Sequence, residues 1–329
     1  MTMRPIAATL AAAGLLLGIA ACGTQATSDP DETTESNFPI TVTNCGNDVD
    51  INQPPERVVL LTGTDVSYLG ELDLLDRVIA KAGAYDPEYH SEEINEMVAD
   101  IPELSSTLDE SASLAISDEV IIESNPDLVI DAVQTDRAAS LGQLGIPVIN
   151  DEAMCPEGLA EPSFDAVYTQ FETFGRIFDV EERAADAITG INERVSEVQS
   201  GVDHNEVRTA AALYPIIGGS PRAYGNRSMA GVLLQEAGFE NVYDDLDERR
   251  AEISIEDLIG RDPDVLVLLH VEGEPQEVEE ALTSLPGAAD LRAVRDDQVL
   301  TMLFNFAEPP TPLAVDGLEQ IVSTFSTRQ

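Results

Sequence analysis

Two short segments concentrate side chains able to grip a ligand. Tyr85-Asp86-Pro87-Glu88-Tyr89-His90 groups two phenols with an imidazole, and Ser220-Pro221-Arg222-Ala223-Tyr224-Gly225-Asn226-Arg227 groups two guanidiniums with a phenol. A guanidinium donates in a planar fork to polarised or charged oxygens, while a phenol adds flat contact area and one hydroxyl. Farther along, His270 brings a second imidazole, and Phe304 and Phe306 offer an apolar wall. Tyr85, Tyr89, His90, Arg222, Tyr224, Arg227, His270, Phe304 and Phe306 are therefore the candidate contacts. For either arginine taken alone, a solvated surface charge is the plain alternative.

The same inventory argues against catalysis. Gly219-Ser220-Pro221 is not a nucleophile elbow, no His-Glu-x-x-His helix occurs, and Lys81, the only lysine, is followed by Ala82 and so cannot end a phosphate-binding loop. Three histidines are few for the capture of a bare metal ion, and His204 falls just past a long helix, away from any cleft. No resident metal or cofactor is expected. A pair formed by His90 and His270 is the competing arrangement, and it would need neutral imidazoles.

These residues must be placed by regular elements. From Arg57 the chain alternates β-branched runs with amphipathic patterns, the mark of parallel sheets with crossover helices. Val58–Leu61, Val78–Lys81, Leu128–Val133 and Pro147–Ile149 read as strands of a first sheet. Thr209–Tyr214, Val265–His270 and Val299–Leu303 read as strands of a second. In open α/β sheets the ligand crevice lies at the carboxyl ends of strands, which selects residues 62–65, 85–90, 134–137, 216–227, 270–272 and 304–308.

Between the sheets, Asp179-Val180-Glu181-Glu182 reads as a capping box. Ala184, Ile188, Ile191, Val195 and Val198 then form one helical stripe that stops near Gly201. Such a rod, roughly 30 to 35 Å long, would brace the two halves against each other.

An internal echo is more specific. Ser117-Asp118-Glu119, Ile121-Ile122 and Pro126-Asp127-Leu128-Val129-Ile130 return 137 positions later as Ser254-Ile255-Glu256, Leu258-Ile259 and Pro263-Asp264-Val265-Leu266-Val267. Each copy reads as a Ser-capped helix with an acid in its first turn, a Pro-Asp turn and a buried strand. Glu119 and Glu256 should therefore occupy equivalent places on the two halves.

The 329 residues carry 62 acids against 17 lysines and arginines, a formal charge of −45. Repulsion from phosphates excludes nucleic acid as a partner. Such a surface suits a salty or ion-rich exterior. It also steers neutral or cationic ligands better than strongly anionic ones.

The start of the chain reads as an address. Met1–Arg4 is positive and Ile6–Ala21 is apolar but too short to span a bilayer, as in a secretory signal. Ile19-Ala20-Ala21-Cys22 resembles a bacterial lipobox, which implies cleavage before Cys22 and a lipid anchor on its thiol; an ordinary signal cleaved nearby is the alternative. The segment after it, rich in Ser, Thr and acids, reads as a stalk. Of the other cysteines, Cys45 and Cys155 are expected to oxidise to one another, two buried free thiols being the alternative. The expected organisation is a signal over 1–21, a stalk over 22–38, a first α/β lobe over 39–178, the connecting helix over 179–202 and a second α/β lobe over 203–329.

In order and spacing the sequence resembles a family. Pro54-Pro55-Glu56-Arg57-Val58-Val59, Asn125-Pro126-Asp127-Leu128-Val129-Ile130, Leu144-Gly145-Ile146-Pro147-Val148, Gly238-Phe239-Glu240-Asn241-Val242 and Leu291-Arg292-Ala293-Val294-Arg295 are similar to motifs of the cluster A, or class III, substrate-binding proteins of ABC importers, especially the ferric-siderophore and cobalamin branch. The resemblance runs from Thr41 to Phe325. It implies two α/β lobes bridged by one backbone helix, a shallow interlobe cleft and little domain closure. It further implies a monomeric, lipid-anchored extracytoplasmic receptor that captures an iron chelate, with Fe(III) carried by the ligand, and delivers it to permease subunits. Cobalamin, haem or a bare metal ion is the alternative cargo. Glu119 and Glu256 match the family's permease-docking glutamates.

Overall fold

Strands that are apolar on both faces sit at the centre of each sheet, as parallel sheets covered by helices require. In the computed structural model, which describes residues 37–105, 114, 116–131, 135–155, 158–159, 161–202, 208–271 and 273–326, Val58–Leu60, Leu128–Asp131 and Val265–His270 are buried at every position. The leader, Cys22 and nearly all of the expected stalk, together with Gln134, His204 and Glu272, lie outside the described residues.

The chain opens with an antiparallel hairpin, β1 (Ile40–Asn44) and β2 (Asn47–Ile51). Then come β3 (Val58–Leu60), α1 (Val66–Glu71), β4 (Val78–Ala82), α2 (Glu92–Asp100), β5 (Glu103–Ser105), α3 (Asp118–Glu123), β6 (Leu128–Asp131), α4 (Thr135–Gly142) and β7 (Val148–Asn150). These strands make a parallel sheet in the order β5-β4-β3-β6-β7.

Two helices, α5 (Phe164–Phe178) and α6 (Glu181–Ser200), lead to the second sheet. It contains β8 (Arg208–Tyr214), β9 (Arg222–Tyr224), α7 (Met229–Glu236), β10 (Phe239–Asn241), β11 (Arg250–Glu252), α8 (Ile255–Arg261), β12 (Val265–His270), α9 (Pro275–Thr283), α10 (Arg292–Arg295), β13 (Val299–Leu303) and α11 (Leu313–Ser326). The order is β11-β9-β8-β12-β13, with β10 beside the start of β8; β9 runs antiparallel to both neighbours.

One apolar layer runs under both sheets. It joins Leu60 and Ile130 of the first sheet and Ala212 and Val267 of the second to Phe171 and Phe174 of α5, Ile191 and Val195 of α6 and Leu318 of α11. The opposite faces have separate covers, α3 and α4 on the first sheet and α8, α9 and α10 on the second. From Phe38 onward the chain accordingly forms one compact unit, although it carries two sheets.

The 20 residues of α6 rise about 30 Å at 1.5 Å each. Near its start, Arg183 donates to the Leu72 carbonyl (2.6 Å) beside α1, and farther along Arg194 pairs with Asp316 (2.7 Å) and Glu319 (2.9 Å) of α11. The helix thus has a polar tie to each half.

The start of α6 differs from the sequence reading. Asp179 adopts a left-handed conformation (φ 58°) as the C-cap of α5, and Val180 precedes α6 without a side-chain cap. Asp is among the few residues that take this conformation at low cost, so it ends one helix instead of starting the next.

The disulfide expected from the cysteine count is present. Cys45 joins Cys155 with their Cα atoms 5.3 Å apart, pinning the hairpin to the segment after β7. Asn44 reinforces that tie by donating to the Asn150 carbonyl and accepting from the Asn150 amide, both at 2.8 Å.

Candidate functional site

The carboxyl ends of the two sheets meet. On the first half, the Tyr89 hydroxyl accepts the Asn305 amide of the second at 3.1 Å, and its ring packs on Phe306 at 5.1 Å between centroids. Elsewhere on the seam, the Tyr68 hydroxyl donates to the Pro310 carbonyl at 3.1 Å. The residues that follow β3, β4, β8, β12 and β13 are gathered at these facing edges.

Each sequence candidate has a definite place. Tyr85 is half-buried, its hydroxyl directed to the carbonyls of Leu60 (2.9 Å) and Ala82 (3.2 Å), with the Lys81 ammonium 5.4 Å from its ring centre. Burial raises its pKa, and its polar end is committed to the first sheet. A Cβ on neighbouring Gly63 would collide with the Ala84 carbonyl, so glycine lets the loops after β3 and β4 touch.

His90 lies edge-on to Tyr89 at 6.3 Å, and burial lowers its pKa. With Tyr89, Arg194, Phe306 and Asp316 it lines a groove of about 940 Å³ beside α6 and α11. Phe304 packs on Tyr214 at 6.3 Å. His270 ends β12 nearly enclosed, its Nδ1 without a hydrogen-bond partner among the described residues.

Arg222 opens β9, in register with Tyr214 at the carboxyl end of β8. It is half-buried and makes no ion pair or side-chain hydrogen bond among the described residues. In a chain with a 45-charge surplus of acid this is unusual, because a cation here has carboxylates in abundance to choose from.

One candidate from the same segment is corrected, and another stands apart from the rest. The segment contains the strand β9, and its alternation turns Tyr224 into the shared core, where it has no exposed surface. Tyr224 therefore offers nothing to a cleft. Arg227 lies past that strand, exposed and forked onto Asp247 at 2.8 and 3.1 Å, and it lines a separate cavity with Arg249 and Glu308.

Residue-type reasoning passed over two apolar side chains. Ile217 (84% exposed) and Val271 (51%) follow β8 and β12, which are neighbours in the sheet. A large apolar side chain in a loop at a strand's carboxyl end was the available signal.

The two echoed units share their local chemistry. Asn125 and Asp262 both take left-handed conformations after α3 and α8. Asp127 accepts the Glu56 and Arg57 amides (2.9 and 2.8 Å) at the entry to β3, and Asp264 accepts the Thr209 amide (2.8 Å) and hydroxyl (2.9 Å) at the entry to β8. The motif aspartates are thus structural, each holding the start of the adjacent strand. Glu119 and Glu256 stand exposed in the first turns of their helices. A hydrogen bond with the Ser117 side chain holds the Glu119 carboxyl below the usual range. Among the described residues no group of three or more His, Cys, Asp or Glu side chains is arranged to hold a metal ion.

The family model for periplasmic binding proteins matches residues 58–304, about three-quarters of the chain. The chain belongs to the periplasmic binding protein family. Its two sheets and connecting helix are the class III form found in ABC importers. This binding protein is 49% identical to a chain of the ABC-type Fe3+-hydroxamate transport system from Saccharomonospora viridis, with a TM-score of 0.79 over 88% of this chain and 99% of that one. It is 22% identical to a cobalamin-binding protein of Halobacterium salinarum over 88% of this chain and 74% of the relative. A periplasmic heme binding protein from Pseudomonas aeruginosa shares the fold, at 19% identity and a TM-score of 0.66 over 82% of this chain and 92% of that one. Membership places the binding protein outside the cytoplasm as a partner of importer permeases. No helix among the described residues is long and apolar enough to cross a membrane.

Proposed function

We propose that this binding protein captures a ferric siderophore, of the hydroxamate class, between the facing carboxyl edges and hands it to a permease. The observation that carries the reading is Arg222, a half-buried guanidinium without a carboxylate partner among the described residues, at the edge of the second sheet. A ferric hydroxamate presents a shell of polarised oxygens that a guanidinium fork can bind, and a partly apolar exterior that suits Phe304, Ile217 and Val271. The 49% identity with the Fe3+-hydroxamate system chain supports that ligand class. Fe(III) arrives and leaves with the cargo, so no resident cofactor or catalytic step is invoked. Glu119 and Glu256 serve as paired docking corners for the permease, and a lipid on Cys22 tethers a monomer to the membrane.

Quenching of tyrosine fluorescence tests the reading, since the protein has seven Tyr and no Trp. Ferric hydroxamates, a ferric triscatecholate, ferric citrate, cobalamin and haem would be titrated in turn. The ferric hydroxamates are expected to bind tightest. Arg222→Ala should weaken them roughly ten- to a hundred-fold, the worth of hydrogen bonds from a charged donor. Preference for the triscatecholate, or no loss in the variant, contradicts the proposal.

A second reading, cobalamin or haem as cargo, is favoured by the His270 ring at the end of β12 and by the cobalamin-binding relative. Haem bound through His270 would give a Soret band that His270→Ala abolishes.

A further inference from the structure

Beside the end of β7, the seam between the sheets is built from buried groups whose hydrogen bonds are incomplete among the described residues. Asp65 has no exposed surface, and neither carboxylate oxygen has a partner. Asp151, 5% exposed, holds the Ala153 amide at 2.9 Å through Oδ1 while Oδ2 has no partner. From the second half, Arg249 pairs with the enclosed Glu308 at 2.6 Å, and its Nη2 is buried without an acceptor. Glu308 also takes the Ala230 amide at 3.1 Å. Cavities of about 480 and 520 Å³ flank the segment Asp151–Cys155; Met154, Arg249 and Glu308 line the first, and Tyr68, Asp151 and Gln170 the second.

The titratable groups around Asp151 come from both halves. Asp65, Tyr68, Asp131 and Glu152 stand on its own side, with Asp131 taken up by Arg137 at 2.6 Å. Arg249 and Glu308 face it from the other, backed by Tyr224 and Arg250. Burial pushes the Asp151 carboxyl up to about 6, against the pull of the Ala153 amide and Arg249 and with a further push from Glu152 and Glu308. Burial also raises Asp65 well above the usual carboxylate range, and Asp151 and Asp131 add to it.

We propose that this seam is a proton-tightened clamp, in which one proton taken up at Asp151 Oδ2 seats the segment Asp151–Cys155 against the second sheet and its loss lets that segment lift. The proton comes from solvent through the adjoining cavity, and no other bond is exchanged, since Arg249 keeps Glu308 in both states. The sign follows from linkage. A hydrated aspartate titrates near 4 and the seated one near 6, so protons favour the seated state. Between pH 7.5 and 5 the opening constant should fall roughly ten-fold.

Hydrogen exchange read by mass spectrometry, on the ligand-free protein from pH 5 to 8 and corrected for intrinsic rates, tests the clamp independently of any cargo. Peptides containing Asp151–Cys155 should open roughly ten-fold less at pH 5 than at pH 7.5, while peptides from β12 stay flat. Asp151→Asn should show the acid level of protection throughout. A flat parent profile, a parallel change in every peptide, or parent-like pH dependence in Asp151→Asn overturns the proposal. If that variant does not fold, the parent profile decides alone.

Discussion

The two carboxyl edges that face each other are built on opposite plans. At the first, Asp65, Asp131 and Asp151 are at most 5% exposed, so the strand ends are closed by inward-turned acids. At the second, Ile217 and Val271 stand bare and Arg222 has no partner among the described residues. An edge closed by buried carboxyls is a support, whereas one that displays an unpaired guanidinium beside apolar side chains has contacts to give. The echoed units α3–β6 and α8–β12 share turn and strand-entry chemistry, yet the proposed ligand contacts lie mainly on one half.

The largest expected effect breaks what the halves share. Reversing both charges with Glu119→Lys and Glu256→Lys should abolish uptake in transport assays while affinity for the cargo stays intact; unchanged transport would remove the docking assignment. Next comes Tyr224→Ala, which should cost about 3 to 5 kcal/mol in denaturant unfolding, as for other enclosed aromatics. Arg222→Ala, two residues away on the same strand but on the cleft edge, should leave the unfolding midpoint nearly unmoved. Smaller and symmetric losses are expected for Asp127→Ala and Asp264→Ala, about 1 to 3 kcal/mol each for the orphaned amides. A large loss at only one would mean that the repeat is not energetically equivalent.

The smallest effect sharpens the contrast in acidity. Asp65, Asp151 and Glu308 all titrate above their unfolded values because of burial, so their ionised forms oppose folding. Folding then takes up protons at these carboxyls as the pH falls, and their contribution to stability should rise from about pH 7.5 toward pH 5, with His90, its pKa lowered by burial, pulling the other way. Asp151 accounts for about 1 kcal/mol of that rise. Repeating the melts in high salt separates this buried contribution from surface repulsion, which salt screens.

Much of the framework was legible because it depends on short apolar runs. Val58, Leu128 and Val265 each begin a strand that the sequence reading placed, since fully buried parallel strands are apolar throughout. The Pro-Asp turns were equally readable, whereas the amides that Asp127 and Asp264 accept lie about 70 and 55 positions away and needed coordinates. Asp179 was misplaced because one side chain can either cap a following helix or end a preceding one, and α5 decides between them. Tyr224 was misplaced because β9 is only three residues long, too short for an alternation to stand out. Asp65 fell within the strand-end segment 62–65 and Asp151 within none, and neither gave a sign of its burial, since burial of an acid is fixed by tertiary packing.

The most direct test of the central claim is a crystal structure of the protein with a ferric hydroxamate. The account predicts the chelate between the loop after β3 and the edge formed by Arg222, Phe304 and Val271, with the guanidinium on its oxygens. A chelate seated in the groove of His90 and Asp316, or Arg222 turned to solvent away from it, would contradict the account.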